Sequence, residues 1–167
     1  MTMEYREIER KFLVSGVSFK DDAARSYRIS QCYLTKERGR SVRVRIRDDK
    51  AFLTIKGPAD EGGMSRFEWE REIPVADAEA LMTLKVSSII EKRRFIVPFE
   101  GHTFEVDEFY GDNEGLVMAE VELGSEDEAF AKPSWLGKEV TGDRRYYNSS
   151  LSREPYCRWK DETEERV

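Results

Sequence analysis

Five consecutive residues near the start of the chain, Glu7-Ile8-Glu9-Arg10-Lys11, place two carboxylates and an ammonium at every second position. In a β-strand side chains alternate faces, so Glu7, Glu9 and Lys11 share one side while Ile8, Phe12 and Val14 take the other. Paired carboxylates on one face suit a hard divalent cation, which usually takes one or two carboxylates plus waters and phosphate oxygens. Glu120 and Glu122, alternating with Ala119, Val121 and Leu123, make a second pair. Asp107 and Glu70 are further candidates, and Glu70 fits a structural ion pair with a neighbouring arginine equally well. Cations recur with the same period: Lys11, Arg43 and Arg45, Lys56, and Lys92 and Arg94. Arginine offers phosphate a planar fork and lysine a point charge. Six separated cations suit an extended polyanion better than a monophosphate.

The elements that must position these groups follow from the same alternation. Period-two runs predict strands near 4–14, 25–35, 41–47, 51–56, 65–73, 88–97, 102–109 and 118–123, joined by short polar connections. One polar strand face by itself is an ordinary solvated face. Same-sign groups on nearly every strand are better explained by a mainly β, α+β fold whose eight antiparallel strands close into a barrel with the charges inside. Such an interior repels itself unless a ligand or metal occupies it, because unpaired buried charge is costly.

Helical pieces are few and are expected outside the barrel. Pro74 followed by Asp77 to Met82 reads as a helix start, Glu126 to Ala131 as a short second helix, and Asp143 to Leu151 as a third, whose Tyr146 and Tyr147 pack across one end. Gly57-Pro58 and Gly62-Gly63 bracket a longer loop able to cover one mouth, and residues 157–167 read as a frayed, charged tail.

At 167 residues the chain is expected to form one domain, residues 1–167. A charged content of 37% and a mean hydropathy of -0.68 lean toward disorder, but nine Phe, seven Tyr and three Trp spread through alternating runs argue for a packed fold. The net charge of -6 disfavours a nonspecific nucleic-acid binder. Cys32 and Cys157 lie far apart with a single histidine in the chain, which argues against zinc and for free thiols. His102 falls beside a turn and is read as a surface residue. No stretch approaches the ~20 apolar residues of a membrane span and no signal-peptide core is present, so a cytoplasmic protein is expected.

The ordered set of ExExK at Glu7, Glu9 and Lys11, then RxR, TIK, KxR and ExE strands, resembles the CYTH family of triphosphate tunnel metalloenzymes, from about Glu7 to Arg145-Tyr146-Tyr147-Asn148. The resemblance implies an eight-stranded tunnel with a C-terminal helix near one mouth, Mg2+ or Mn2+ held by Glu7, Glu9, Glu120 and Glu122, and phosphate held by Lys11, Arg43, Arg45, Lys56, Lys92 and Arg94. It also implies an enzyme that hydrolyses inorganic or thiamine triphosphate, or cyclises ATP to cyclic AMP.

Hydrolysis of inorganic triphosphate by in-line attack of water is the expected reaction, with Lys92 or Glu70 as candidate general base and Tyr33 as a candidate lumen residue or, alternatively, a core tyrosine. No adenine-reading signature favours the cyclase. A noncatalytic polyphosphate-binding module remains the alternative outside enzymes, although it has no use for the carboxylates. No nucleic acid or membrane partner is expected, and Phe67 and Trp69 on an outer face could support a homodimer.

Overall fold

The computed structural model describes residues 5–164. Nine strands form a single sheet: β1 (Arg6–Val14), β2 (Arg25–Tyr33), β3 (Ser41–Arg47), β4 (Lys50–Ala59), β5 (Ser65–Ile73), β6 (Ile90–Phe99), β7 (His102–Phe109), β8 (Val117–Glu122) and β9 (Leu136–Glu139). Their order is β5-β4-β3-β2-β6-β7-β8-β1-β9, and a further β1–β5 pairing closes the first eight into an antiparallel barrel. The ninth strand, absent from the sequence reading, is short and adds to β1 through Phe12 and Val14.

Alternation along each strand separates two chemistries. The outer faces of β1, β6, β7 and β8 supply Phe12, Val97, Phe104 and Val121, which pack with Phe19 and Trp135 from outside the wall. Phe19 begins the four-residue helix α1 (Phe19–Asp22). Helix α2 (Val75–Met82) follows Pro74, whose fixed φ suits a helix start. It covers β3 and β4, with Ala78 against Cys32, Val44 and Ala51. The hydrophobic core therefore lies largely between the barrel wall and its outer padding, which leaves the interior for polar groups.

At one end the interior turns apolar. Ile90, Phe109 and Met118, in the same alternation as Lys92, Asp107 and Glu120, meet Tyr146, Leu151 and Trp159 from the C-terminal segment. This segment is a 3-10 turn at Arg144–Tyr146 followed by helix α3 (Asn148–Leu151), rather than the continuous helix expected over 143–151. Asp143 caps the first turn by accepting from the Arg145 backbone N–H, and Tyr147 is extended between the two pieces.

Three other expectations are corrected. No helix forms over 126–131, because Glu126 accepts from Ser65 and Glu128 from both His102 and the Gly124 N–H, which tie the segment to the wall as a loop. Gly57 and Pro58 lie within β4, so the expected long loop is a tight turn closed by hydrogen bonds between Asp60 and Ser65 and between Gly63 and Asp60. Trp159 in the supposed frayed tail is buried, edge-on to Tyr146 and Tyr156, and helix α4 (Lys160–Glu164) follows it. Glu4 and residues 165–167, parts of two expectations, lie outside the described residues. Among those described, no helix is long and apolar enough to cross a membrane.

The β4–β5 turn is fastened to the C-terminal segment where Gly63 meets Gly142. Gly63 has φ +76, and a Cβ there would fall 2.5 Å from the Gly142 Cα. Gly63→Ala is expected to lower stability by about 1–3 kcal/mol, read as a drop in the thermal midpoint.

Candidate active site

The inward faces of all eight barrel strands converge on a cavity of roughly 250 Å3. Every site residue expected from the sequence lines it except Asp107. Register explains the grouping. Lys11 on β1 stands opposite Glu120 on β8, Glu9 opposite Glu122, and Glu120 opposite Glu105 on β7. On the far wall Arg43 stands opposite Thr54, itself opposite Glu70, while Arg45 faces Gln31.

The cations differ in how they are balanced. Lys56 Nζ lies 2.8 Å from Glu7 Oε2 and 3.1 Å from Glu68, and Lys11 Nζ is 3.4 Å from Glu120 while donating to the Tyr146 carbonyl. Arg94 grips Asp107 with two bonds of 2.8 and 2.9 Å. Arg43 donates to Thr54 Oγ1 at 3.2 Å, has a long 3.5 Å contact to the Glu70 carboxylate, and its Nε is buried without a hydrogen-bond partner. Arg45 has no carboxylate partner among the described residues, and its Nε donates to Gln31 Oε1 at 3.0 Å. Burial, then the neighbouring Arg43 and Arg94, lower the Arg45 guanidinium to about 9. Arg43 and Arg45 thus form an arc of buried positive charge without enough protein counter-charge, which is what an anionic ligand would complete.

The acids show the opposite imbalance. Glu9 and Glu122 are directly opposed across β1 and β8, as are Glu120 and Glu105 across β7 and β8, arrangements that are unfavourable for like charges. Burial, Glu120 and Glu7 push the Glu9 carboxyl well above the usual carboxylate range. Burial and Glu7 raise Glu122 as well, whereas Glu120 is held low against burial by Lys11 and Arg94. Among the described residues no group of three or more His, Cys, Asp or Glu is arranged to hold a cation by itself. The opposed carboxylates nevertheless fit a hard divalent ion: Glu9, Glu120 and Glu122 offer oxygen donors, and substrate phosphate and water would complete the shell. Glu7 is the least available of the four, being paired with Lys56 and near Arg66.

Asp107, expected from the sequence as a further metal ligand, stands in ion pairs with Lys92 and Arg94. It is 3% exposed and outside the cavity lining, and its oxygens are taken by Arg94 and by Lys92 at 2.7 Å. Burial works against the Asp107 charge, but Arg94 and Lys92 bring its carboxyl down to about 2. Lys92, completely buried, also donates to Asn148 Oδ1 at 2.9 Å, and burial lowers its ammonium to about 7 despite Asp107. Glu70 accepts from Thr54 Oγ1 at 2.6 Å and from Arg43, so it sits in the cavity wall as part of an ion pair. Tyr33 lines the cavity. His102 lies outside it, with Nε2 2.6 Å from Glu128.

Several lining residues carry no site role in the sequence reading. Arg47, Arg66 and Glu68 continue the period-two runs of β3 and β5 and could have been found by extending them. Glu105 is two residues before Asp107 and pairs with Arg94. Tyr147, between Lys11 and Arg66 at 5.3 and 5.6 Å, and Asn148 come from the C-terminal segment, where no strand period marks them.

Removing Asp107 leaves Lys92 buried without a carboxylate and Arg94 with Glu105 alone. Asp107→Ala is therefore expected to cost about 3–5 kcal/mol, measured by urea unfolding. In the unaltered chain the Asp107 contribution is present above the unfolded carboxylate value of ~3.9 and is lost as pH falls toward about 2, so the Asp107→Ala deficit should shrink across that window.

The profile of the CYTH domain matches residues 5–155. An inorganic triphosphatase of Acetivibrio thermocellus is 50% identical over 157 residues, spanning 93% of this chain and 99% of that protein. An inorganic triphosphatase of Nitrosomonas europaea is 40% identical over 151 residues, spanning 87% and 96%. The crystal structure of the inorganic triphosphatase NE1496 superposes with a TM-score of 0.63 at 35% identity, covering 87% of this chain and 93% of its own. A closed barrel with opposed carboxylates and under-balanced arginines inside, together with these matches over most of its length, shows that this chain belongs to the CYTH domain family.

Proposed function

We propose that this chain is a divalent-cation-dependent hydrolase that cleaves the terminal phosphate from inorganic triphosphate. The observation that carries the reading is Arg45, 9% exposed with no carboxylate partner among the described residues, beside Arg43 with its unpartnered Nε. Two guanidiniums held in this state suit a ligand that brings its own negative charge. The two relatives named above are inorganic triphosphatases. Family membership implies a divalent cation, and Mg2+ or Mn2+ fits the all-oxygen donor set of Glu9, Glu120 and Glu122, with Glu7 nearby.

In this reading Arg43 and Arg45 hold phosphate oxygens on one wall while Lys11, Lys56 and Arg94 approach from the others. When bound, the cation would screen charge on the phosphates and orient the attacking water. Lys92 is our candidate for accepting the proton from that water, because burial brings its ammonium near neutrality and its bonds to Asp107 and Asn148 fix it. Glu70, bound by Thr54 and Arg43, is the less available alternative.

Apart from Tyr33 and Tyr147, the lining consists of charged, hydroxyl and amide side chains, which offers no apolar slot for an adenine or thiamine ring. This favours inorganic triphosphate over ATP cyclisation and thiamine triphosphate. The same charged lining argues against a lipocalin-like apolar carrier. A small phosphorylated substrate and Mg2+ are also what the cytoplasm supplies.

The test is phosphate and pyrophosphate release from tripolyphosphate, ATP and thiamine triphosphate, with Mg2+, with Mn2+ and with chelator. Cation-dependent orthophosphate release with tripolyphosphate well ahead is expected; pyrophosphate with cyclic AMP would instead mark a cyclase. Glu9→Gln should lower kcat by about a hundredfold or more, because it removes a charged donor from the cation site. An equally active Glu9→Gln variant would point to a binding module whose turnover came from elsewhere.

A further inference from the structure

Buried cations in proteins are normally balanced by acids. Two of the tunnel cations also meet amides: Arg45, which has no carboxylate partner among the described residues, and Lys92, which Asp107 pairs as well. Gln31 is completely buried on β2, and its Oε1 accepts from Arg45 Nε at 3.0 Å. Its Nε2 donates at 3.0 Å to Asn148 Oδ1, which also accepts from Lys92 Nζ at 2.9 Å. The direction of this chain is forced from one end: Arg45 can only donate, so Gln31 Oε1 must face it, and Gln31 Nε2 then meets the Asn148 oxygen that also accepts from Lys92. One continuous relay therefore runs Arg45, Gln31, Asn148, Lys92, Asp107, Arg94.

We infer that Gln31 and Asn148 are positioning residues, neutral amides that fix Arg45 and Lys92 in the tunnel wall without cancelling charge that the substrate's phosphates require. A carboxylate at position 148 could accept the same two hydrogen bonds from Gln31 and Lys92. For the empty protein it would be the stronger partner, because a charged acceptor binds an ammonium more tightly than an amide does. Its cost would fall on ligand binding, where an added negative charge beside Lys92 opposes a polyanion. The amide keeps the geometry and spares the charge. Asn148 also belongs to α3, so the segment that plugs the apolar end of the barrel contributes directly to the order of the catalytic wall.

This inference rests on the triphosphatase reading. The test is tripolyphosphate affinity by calorimetry without divalent cation, together with kcat, KM and the thermal midpoint, for the unaltered chain, Asn148→Asp and Asn148→Ala. Asn148→Asp should bind tripolyphosphate at least about tenfold more weakly, with KM raised in proportion and the thermal midpoint unchanged or higher. Asn148→Ala, which frees Lys92 and Gln31 without adding charge, should lower kcat more than it raises KM. A purely structural asparagine would give an Asn148→Asp protein with affinity and KM within about twofold of the parent, which would overturn the inference. An Asn148→Asp chain that no longer folds would overturn it too, because the carboxylate is argued to keep both bonds. If the unaltered chain binds tripolyphosphate without hydrolysing it, the triphosphatase reading fails while the affinity comparison still decides the role of the amides.

Discussion

Removing a charged side chain from water costs several kcal/mol unless other charges and hydrogen bonds replace the lost hydration. The barrel places cations and carboxylates from eight strands on its inside, so its architecture is governed by that cost. Where a pair can be completed, it is: Asp107 holds Lys92 and Arg94, and Glu7 holds Lys56. Where pairing stops, function begins. Arg43 and Arg45 lack sufficient counter-charge, while Glu9 with Glu122, and Glu120 with Glu105, carry like charge in directly opposed positions. A polyanion and a divalent cation together would relieve both imbalances at once, which neither would do separately.

Stability must then come from elsewhere, and it comes from the outside of the wall. Phe12, Phe19, Phe104 and Trp135 form an aromatic layer over β1, β7 and β8, and Ala78 of α2 seals the opposite wall. Because neither layer enters the lumen, the interior is free of the usual demand that a small domain fill its centre with apolar side chains. Only the end capped by Tyr146, Leu151 and Trp159 is conventional core, and from that cap Asn148 and Tyr147 reach the charged section.

Much of this was legible because a strand's period of two is short and strict. Once Glu7, Glu9 and Lys11 are placed on one face, a one-residue slip would turn Ile8 and Phe12 into the charged lumen, so the register and the inward set follow together. What could not be read depended on contacts between distant segments. Asp107 has the same period as Glu105, and its ion pairs with Lys92 and Arg94 are formed by a neighbouring strand that the local pattern does not reveal. The run from Glu126 to Ala131 has helical composition, yet Ser65 and His102 claim its acids. Gln31 and Asn148 are separated by 117 positions and carry no charge, so nothing local marks them.

The central claim is that the tunnel is under-neutralised until a triphosphate enters. Its most direct test is the thermal midpoint of the metal-free protein as tripolyphosphate is added, against orthophosphate at matched ionic strength. Ligand that binds only the folded state raises stability by RT ln(1 + [L]/Kd), so the midpoint should climb steadily with tripolyphosphate and stay nearly flat with orthophosphate. Equal curves for the two anions would mean that the buried arginines are not a triphosphate cradle.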